Sequence, residues 1–213
     1  MNSLKLIIMG RNQDYKNRAL NSLEGKWGTA AIAALIYFAL SEGISWVITT
    51  PMGDNMTMSY STQGFWELLC LPLGWGFTIL FLNLIRNEDI RYERLFDGYK
   101  DFIRIFLAGF LVLLAVVIGC IFLIVPGIII GLMFSQTEYI LKDDKEISAA
   151  DAIMKSMKMM EGHKMELFWL MLSFIGWFLL CILTIGIGFL FLAPYFNTTM
   201  AHYYEDLKAE QGM

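Results

Sequence analysis

The chain has 213 residues, 57% of them hydrophobic and 17% charged, with a formal charge of −4. A soluble globular domain is nearer half apolar and a quarter charged, so this composition points to one membrane domain with no room for a second, soluble one. The net negative charge and the lack of a basic stripe argue against a nucleic-acid surface.

Near the amino terminus, Leu4 to Met9 is too short for the apolar region of a cleaved secretory signal and has no small-residue cleavage site after it. The first span is therefore expected to act as its own insertion signal. Residues 11–25 are polar with an apolar stripe of Tyr15, Ala19, Leu20 and Leu23. That spacing predicts an amphipathic helix lying on the membrane surface or on the bundle. A first span is predicted from Trp27 to Thr49, with one charge, Glu42, toward its far end. A polar loop from Thr50 to Gln63, rich in turn formers, follows. The second span, Phe65 to Ile85, carries Glu67 near its outer start and Pro72 as a kink. Residues 86–101 are dense in both charge signs and form a polar connection.

From Phe102 to Leu141 no charged side chain occurs between Arg104 and Glu138. About 20 helical residues cross the hydrocarbon once, so this run is too long for one crossing and right for two. Val125-Pro126-Gly127 supplies a helix breaker and a turn residue, which predicts a helical hairpin. In residues 142–164, Ser148 with Asp151 resembles a capping box. Ile147, Ala150, Ile153, Met154, Met157 and Met160 then form an apolar stripe with Lys155 and Lys158 off it, the pattern of an interfacial helix. The stripe suits contact with lipid or the bundle, or a partner-binding groove. Leu167 to Tyr204 again lacks Asp, Glu, Lys and Arg, and Gly186-Ile187-Gly188 marks its turn.

Fifteen of the sixteen basic residues fall five each in residues 1–26, 86–104 and 142–164, and the last is Lys208. The positive-inside rule then places both termini and both charged connections in the cytoplasm. The expected fold is all-α: a polytopic membrane bundle of six transmembrane helices arranged as three helical hairpins with cytoplasmic amphipathic helices. Glu24-Gly25-Lys26, Asp97-Gly98-Tyr99-Lys100 and Glu161-Gly162-His163-Lys164 each follow a polar stretch and precede a span. Each Gly is expected to end a surface helix in a left-handed cap, and each Lys to anchor the next span at the headgroups. Phe134-Ser135-Gln136-Thr137 aligns with Phe196-Asn197-Thr198-Thr199, and Leu82-Asn83 more weakly. The chain reads as three repeat units over about 11–86, 87–142 and 146–207 within a single domain.

These motifs together resemble the small bacterial integral membrane proteins catalogued as domain of unknown function 975. The carrying residues are Leu23 to Trp27, Leu95 to Lys100, Pro126-Gly127 with Tyr139 to Asp143, Met160 to Lys164, and Thr184 to Gly188 with Pro194-Tyr195. The resemblance covers nearly the whole chain, and its plan is similar to the membrane domain attached to some glycerophosphodiester phosphodiesterases. It implies a bacterial cytoplasmic (inner) membrane and no established activity, so it transfers no catalytic residue.

Two groups of residues are candidates for chemistry. Glu42 and Glu67, on adjacent arms near the outer face, suit a cation or solute role, or reach interfacial water beside Trp46 and Trp66. Asn83, Ser135, Gln136, Thr137, Glu138, Asn197, Thr198, Thr199 and His202 cluster in the cytoplasmic halves of the returning arms. They form either one polar pocket open to the cytoplasm or interhelical hydrogen bonds that hold the bundle together. Cys70, Cys120 and Cys181 form no CxxC pair and read as small buried hydrophobes, with a disulfide between two of them as the alternative. No nucleophile with a base, phosphate loop or metal-ligand spacing is legible, so no enzyme activity, cofactor or metal is expected. The expected function is a non-catalytic module that binds membrane lipids, or a protein partner through its cytoplasmic helices. The alternative is a small transporter or lipid-handling protein using the polar pocket.

Overall fold

The computed structural model describes residues 2–49 and 56–212. Residues 50–55 of the first predicted turn, and the side chains of residues 2–9, of Trp46, Ile48 and Thr49 and of residues 56–61, lie outside the described residues. Among the described residues there is no strand. Helix α1 spans Asn2–Leu23, beginning well before the predicted residue 11. Tyr15, Ala19 and Leu23 of its predicted stripe are buried, while Leu20 is 41% exposed and lies off the buried face. Gly25 ends the segment at φ +73°.

Helix α2 (Trp27–Phe38) runs through a π-helical turn (Ala39–Gly43) into α3 (Ile44–Thr49). It buries only alanines, Ala30, Ala33 and Ala34, which lets neighbouring helices approach closely. Helix α4 covers Met56–Ile85, so residues 56–63 of the predicted polar loop are helical instead. Pro72 sits inside this helix.

A 3-10 helix (Tyr92–Tyr99) stands where a left-handed cap was expected at Gly98. Gly98 serves a different purpose. A Cβ there would lie 2.1 Å from Pro72 O, and one on Gly76 would lie 2.0 Å from Leu95 O. The two glycines let the 3-10 segment lie backbone against backbone on α4. Gly162, by contrast, has φ +83° as its position predicts.

Helices α5 (Phe102–Phe122) and α6 (Ile124–Phe134) are joined by one extended residue, Leu123. The chain therefore turns before Val125-Pro126-Gly127, and Pro126 falls in the first turn of α6, where a missing N–H loses no helical bond. Gly127 is needed for proximity: a Cβ there would meet Cys120 Sγ at 2.1 Å. Helix α7 (Thr137–Asp143) continues the returning arm after a break at Ser135-Gln136.

Helix α8 (Ala149–Met159) is capped by Ser148, whose Oγ accepts from Asp151 N at 3.1 Å. Its buried face is Ala149, Ala152, Ser156 and Met159. The predicted stripe lies beside that face: Met160 is buried, Ile153 and Met157 are half-buried, and Met154 is exposed. Helices α9 (Lys164–Leu172) and α10 (Ile175–Leu183) are separated by a break at Ser173-Phe174. The following turn carries Ile185 and Gly186 at φ +54° and +85° and leads into α11 (Phe189–Glu210).

Among the described residues, four helical stretches are long and apolar enough to cross a membrane: Thr62–Ile85, Phe102–Phe122, Ile124–Asp143 and Lys164–Leu183. The apolar helix Trp27–Gly43 is shorter. Ion pairs gather the charged segments at one end. Arg18 Nη1 and Nη2 hold Asp206 at 2.6 and 2.8 Å, tying α1 to α11. Arg104 Nη1 donates to Asp144 O at 2.9 Å, tying α5 to the segment before α8. The opposite tips are apolar and uncovered, with Leu123 68% and Ile185 93% exposed.

Candidate functional site

The site begins at the break in the returning arm. Phe134 ends α6, and the polar groups freed there are paired locally. Ser135 Oγ donates to Leu132 O at 2.8 Å, Gln136 N to Ser156 Oγ at 3.1 Å, and Ser156 Oγ to Met133 O at 2.9 Å. Backbone left unpaired in an apolar slab is strongly destabilising, so Ser156 of α8 makes the interruption tolerable. Glu138 follows in the first turn of α7. Helix α4 fixes its position: Trp75 Nε1 donates to Glu138 O at 3.0 Å, and Thr78 of the same helix lines the same cavity as the Glu138 side chain.

A cavity of about 850 Å³ lies against this segment, walled by α4, α5, α6, α7, α9, α10 and α11. Most of the wall is apolar, including Leu71, Ala108, Val112, Gly131, Met171 and Phe196. Thr78, Ser135, Thr137, Glu138, Tyr139 and Asn197 are the hydroxyl, amide and carboxylate side chains on it. Glu138 is exposed there, and no Lys, Arg or His lines the cavity among the described residues. Thr137 is buried, and its Oγ1 has no hydrogen-bond partner among the described residues.

Beyond Glu138, α7 ends in an ionic hub. Arg86 donates to Asp143 Oδ1 and Oδ2 at 2.6 and 3.0 Å and to Glu205 at 2.7 Å. Tyr204 Oη and Lys208 Nζ also donate to Asp143. Burial pulls the Arg86 guanidinium down, but its bonds to Asp143 and Glu205 outweigh this and hold it above its ordinary range. The hub closes the charged end of the bundle below the cavity.

Of the nine residues expected in one polar pocket, four line this cavity: Ser135, Thr137, Glu138 and Asn197. The other five lie elsewhere. Asn83 Nδ2 donates to Asp89 O at 3.4 Å, and Gln136 Nε2 to Ser135 Oγ at 2.8 Å. Thr198 and Thr199 are fully buried and donate to Pro194 O and Tyr195 O of their own helix, both at 2.8 Å. His202 Nε2 is 2.9 Å from Ser22 Oγ, and its Nδ1 is 3.4 Å from Arg18 Nη2, so it helps dock α1. Asn197 also bonds within its helix, from Nδ2 to Ala193 O at 2.9 Å.

Glu42 and Glu67 are both exposed, at a level where Trp66 Nε1 donates to Ser41 O at 3.0 Å. The three cysteines are free thiols, and only Cys181 is buried as expected: Cys70 is half-buried and Cys120 is exposed near the uncovered tip of α5, although Cys120 and Cys181 each lie against a glycine, Gly127 and Gly188. Among the described residues no group of three His, Cys, Asp or Glu side chains could hold a metal ion. Sequence reasoning missed Thr78 and Trp75. The available signal was a hydroxyl and an indole placed three residues apart inside an apolar span.

A family model described as a protein of unknown function (DUF975) matches residues 110–211. Over that stretch, just under half of its length, the chain is similar to the DUF975 family. The DUF975 match starts within α5 and ends at the close of α11, so it contains Ser135, Thr137, Glu138 and Asn197, while Trp75 and Thr78 lie outside it. No curated protein and no solved structure matches the chain.

Proposed function

We propose that this protein is a non-catalytic membrane module that holds one lipid in the cavity between α4, α5 and the broken returning arm. The observation that carries this reading is the cavity itself. A space of about 850 Å³, apolar along its length with a few hydroxyls and one carboxylate at Glu138, has the lining of an amphiphile site. A water-filled transport path would need polar groups along its length, and Thr198, Thr199 and His202 are engaged elsewhere.

The reading includes a topology. The protein crosses the bacterial inner membrane six times as three hairpins, with both termini cytoplasmic. Trp27–Thr49 and the first part of α11 supply the two crossings beyond the four long apolar helices. The positive-inside distribution of Lys and Arg and the apolar tips at Leu123 and Ile185 support it. A repeat is supported by a shared device: Gly127 and Gly188 each lie against a Cys seven residues earlier, Cys120 and Cys181.

Gly131→Leu tests the cavity. A Cβ at Gly131 would have no neighbour closer than Val116 Cγ2 at 3.9 Å, so the added side chain has room to enter the cavity. Native mass spectrometry of protein released from phospholipid nanodiscs should show a retained lipid on the wild type. Retention should fall at least about tenfold, or ~1.4 kcal/mol, in the variant at unchanged melting temperature. Equal retention by both would overturn the reading.

A further inference from the structure

The lining of the cavity also specifies the headgroup. Glu138 is exposed and lines the cavity, yet no Lys, Arg or His shares that wall among the described residues, where its neutral neighbours include Thr78. The ion pairs of this end of the bundle are made elsewhere. Arg86 and Lys208 are committed to Asp143, and Arg104 to the carbonyls of Leu141, Asp144 and Ile147. The fold thus supplies cations to the neighbouring carboxylates and leaves this one without a cation. A carboxylate in an apolar setting is strongly favoured by an opposite charge or a donor brought to it.

We propose that the occupant is an amine-bearing phospholipid, whose ammonium group pairs with Glu138 while its acyl chain lies along the apolar wall at Val112 and Gly131. This rests on the lipid-binding reading above. Three features fit an ammonium better than a phosphate. The cavity offers no Lys, Arg or His to an anion. Thr78 adds a hydroxyl side chain to the same wall as the carboxylate. Glu138 lies five residues before the end of the Ile124–Asp143 stretch, about 7–8 Å along the helix, within reach of a headgroup drawn in from the adjacent leaflet.

The test uses full-length protein in nanodiscs made from equal parts phosphatidylethanolamine and phosphatidylglycerol, with retained lipids identified by native mass spectrometry. The wild type is expected to retain phosphatidylethanolamine at least about fivefold over phosphatidylglycerol. Glu138→Gln should keep total retention and lose the preference, whereas Gly131→Leu should lose both lipids. A wild type that retains lipid without headgroup preference overturns the amine assignment and leaves the lipid site standing, whatever the variants do. A wild type that retains neither lipid overturns the lipid site itself. Retention favouring phosphatidylglycerol would also overturn the assignment, by placing the phosphate at the recognition point.

Discussion

Single residues in this chain are chosen for what they leave out as often as for what they add. Gly76 and Gly98 carry no Cβ because a carbonyl oxygen of the opposing segment occupies that place, at 2.0 and 2.1 Å. Gly98→Ala must therefore move backbone, and is expected to destabilise the protein by about 1–3 kcal/mol. Gly131→Ala, in open space, should be neutral or stabilising because alanine favours helix. Thermal unfolding of both variants in one detergent checks the contrast, and equal melting temperatures would refute the close-packing account. The same logic explains what was legible at this scale. A glycine in Asp97-Gly98-Tyr99-Lys100 is visible in sequence, but a left-handed cap and a close approach call for the same residue. Only the partner segment distinguishes them, and that partner, Pro72, lies 26 positions away.

Helices and connections were legible where periodicity or capping marks them. Tyr15, Ala19 and Leu23 lie on the buried face of α1, and Ser148 caps α8. The breaks at Ser135-Gln136 and Ser173-Phe174 were not legible, because their support comes from other elements. Ser156 of α8 pairs the first, and Lys16 of α1 reaches the second, donating to Ser173 O at 2.8 Å. The buried face of α8 is mostly small, built from Ala149, Ala152 and Ser156 with Met159 at its end, and a hydrophobicity pattern weights the larger side chains of Met154 and Met157 beside it. The connection at 86–101 contains the 3-10 helix Tyr92–Tyr99 and is laced by charge pairs. Asp89 accepts from Arg91 and Arg94, and Asp97 from Arg94 and Lys100. Bonds from Arg91 hold the Asp89 carboxyl below its usual 3.8, and bonds from Lys100 and Arg94 outweigh burial to lower Asp97. A carboxyl lowered by folding contributes stability above its unfolded value, which is lost as pH falls through its folded one. Hydrogen-exchange protection of residues 92–99, corrected for intrinsic rates, should stay level from about pH 7 to 5 and fall between about pH 4 and 2. Protection unchanged down to about pH 2 would show that these pairs do not hold the segment.

At the scale of the molecule, the charged segments meet at one end and apolar tips stand at the other. The polarity of that arrangement was plain from the placement of Lys and Arg. The cavity was not, because it is made by small residues, Ala108, Gly109 and Gly131, drawn from two helices whose packing no periodicity reports. Reading the cavity as a lipid site of the inner leaflet depends on the molecule crossing the bilayer with its charged end inward. Single-cysteine variants in a cysteine-free background test this in intact cells with a membrane-impermeant maleimide. Ile185→Cys should label from outside, and Lys155→Cys only after the cells are opened. Labelling of Lys155→Cys in intact cells, or a demand for opened cells at Ile185→Cys, would contradict it.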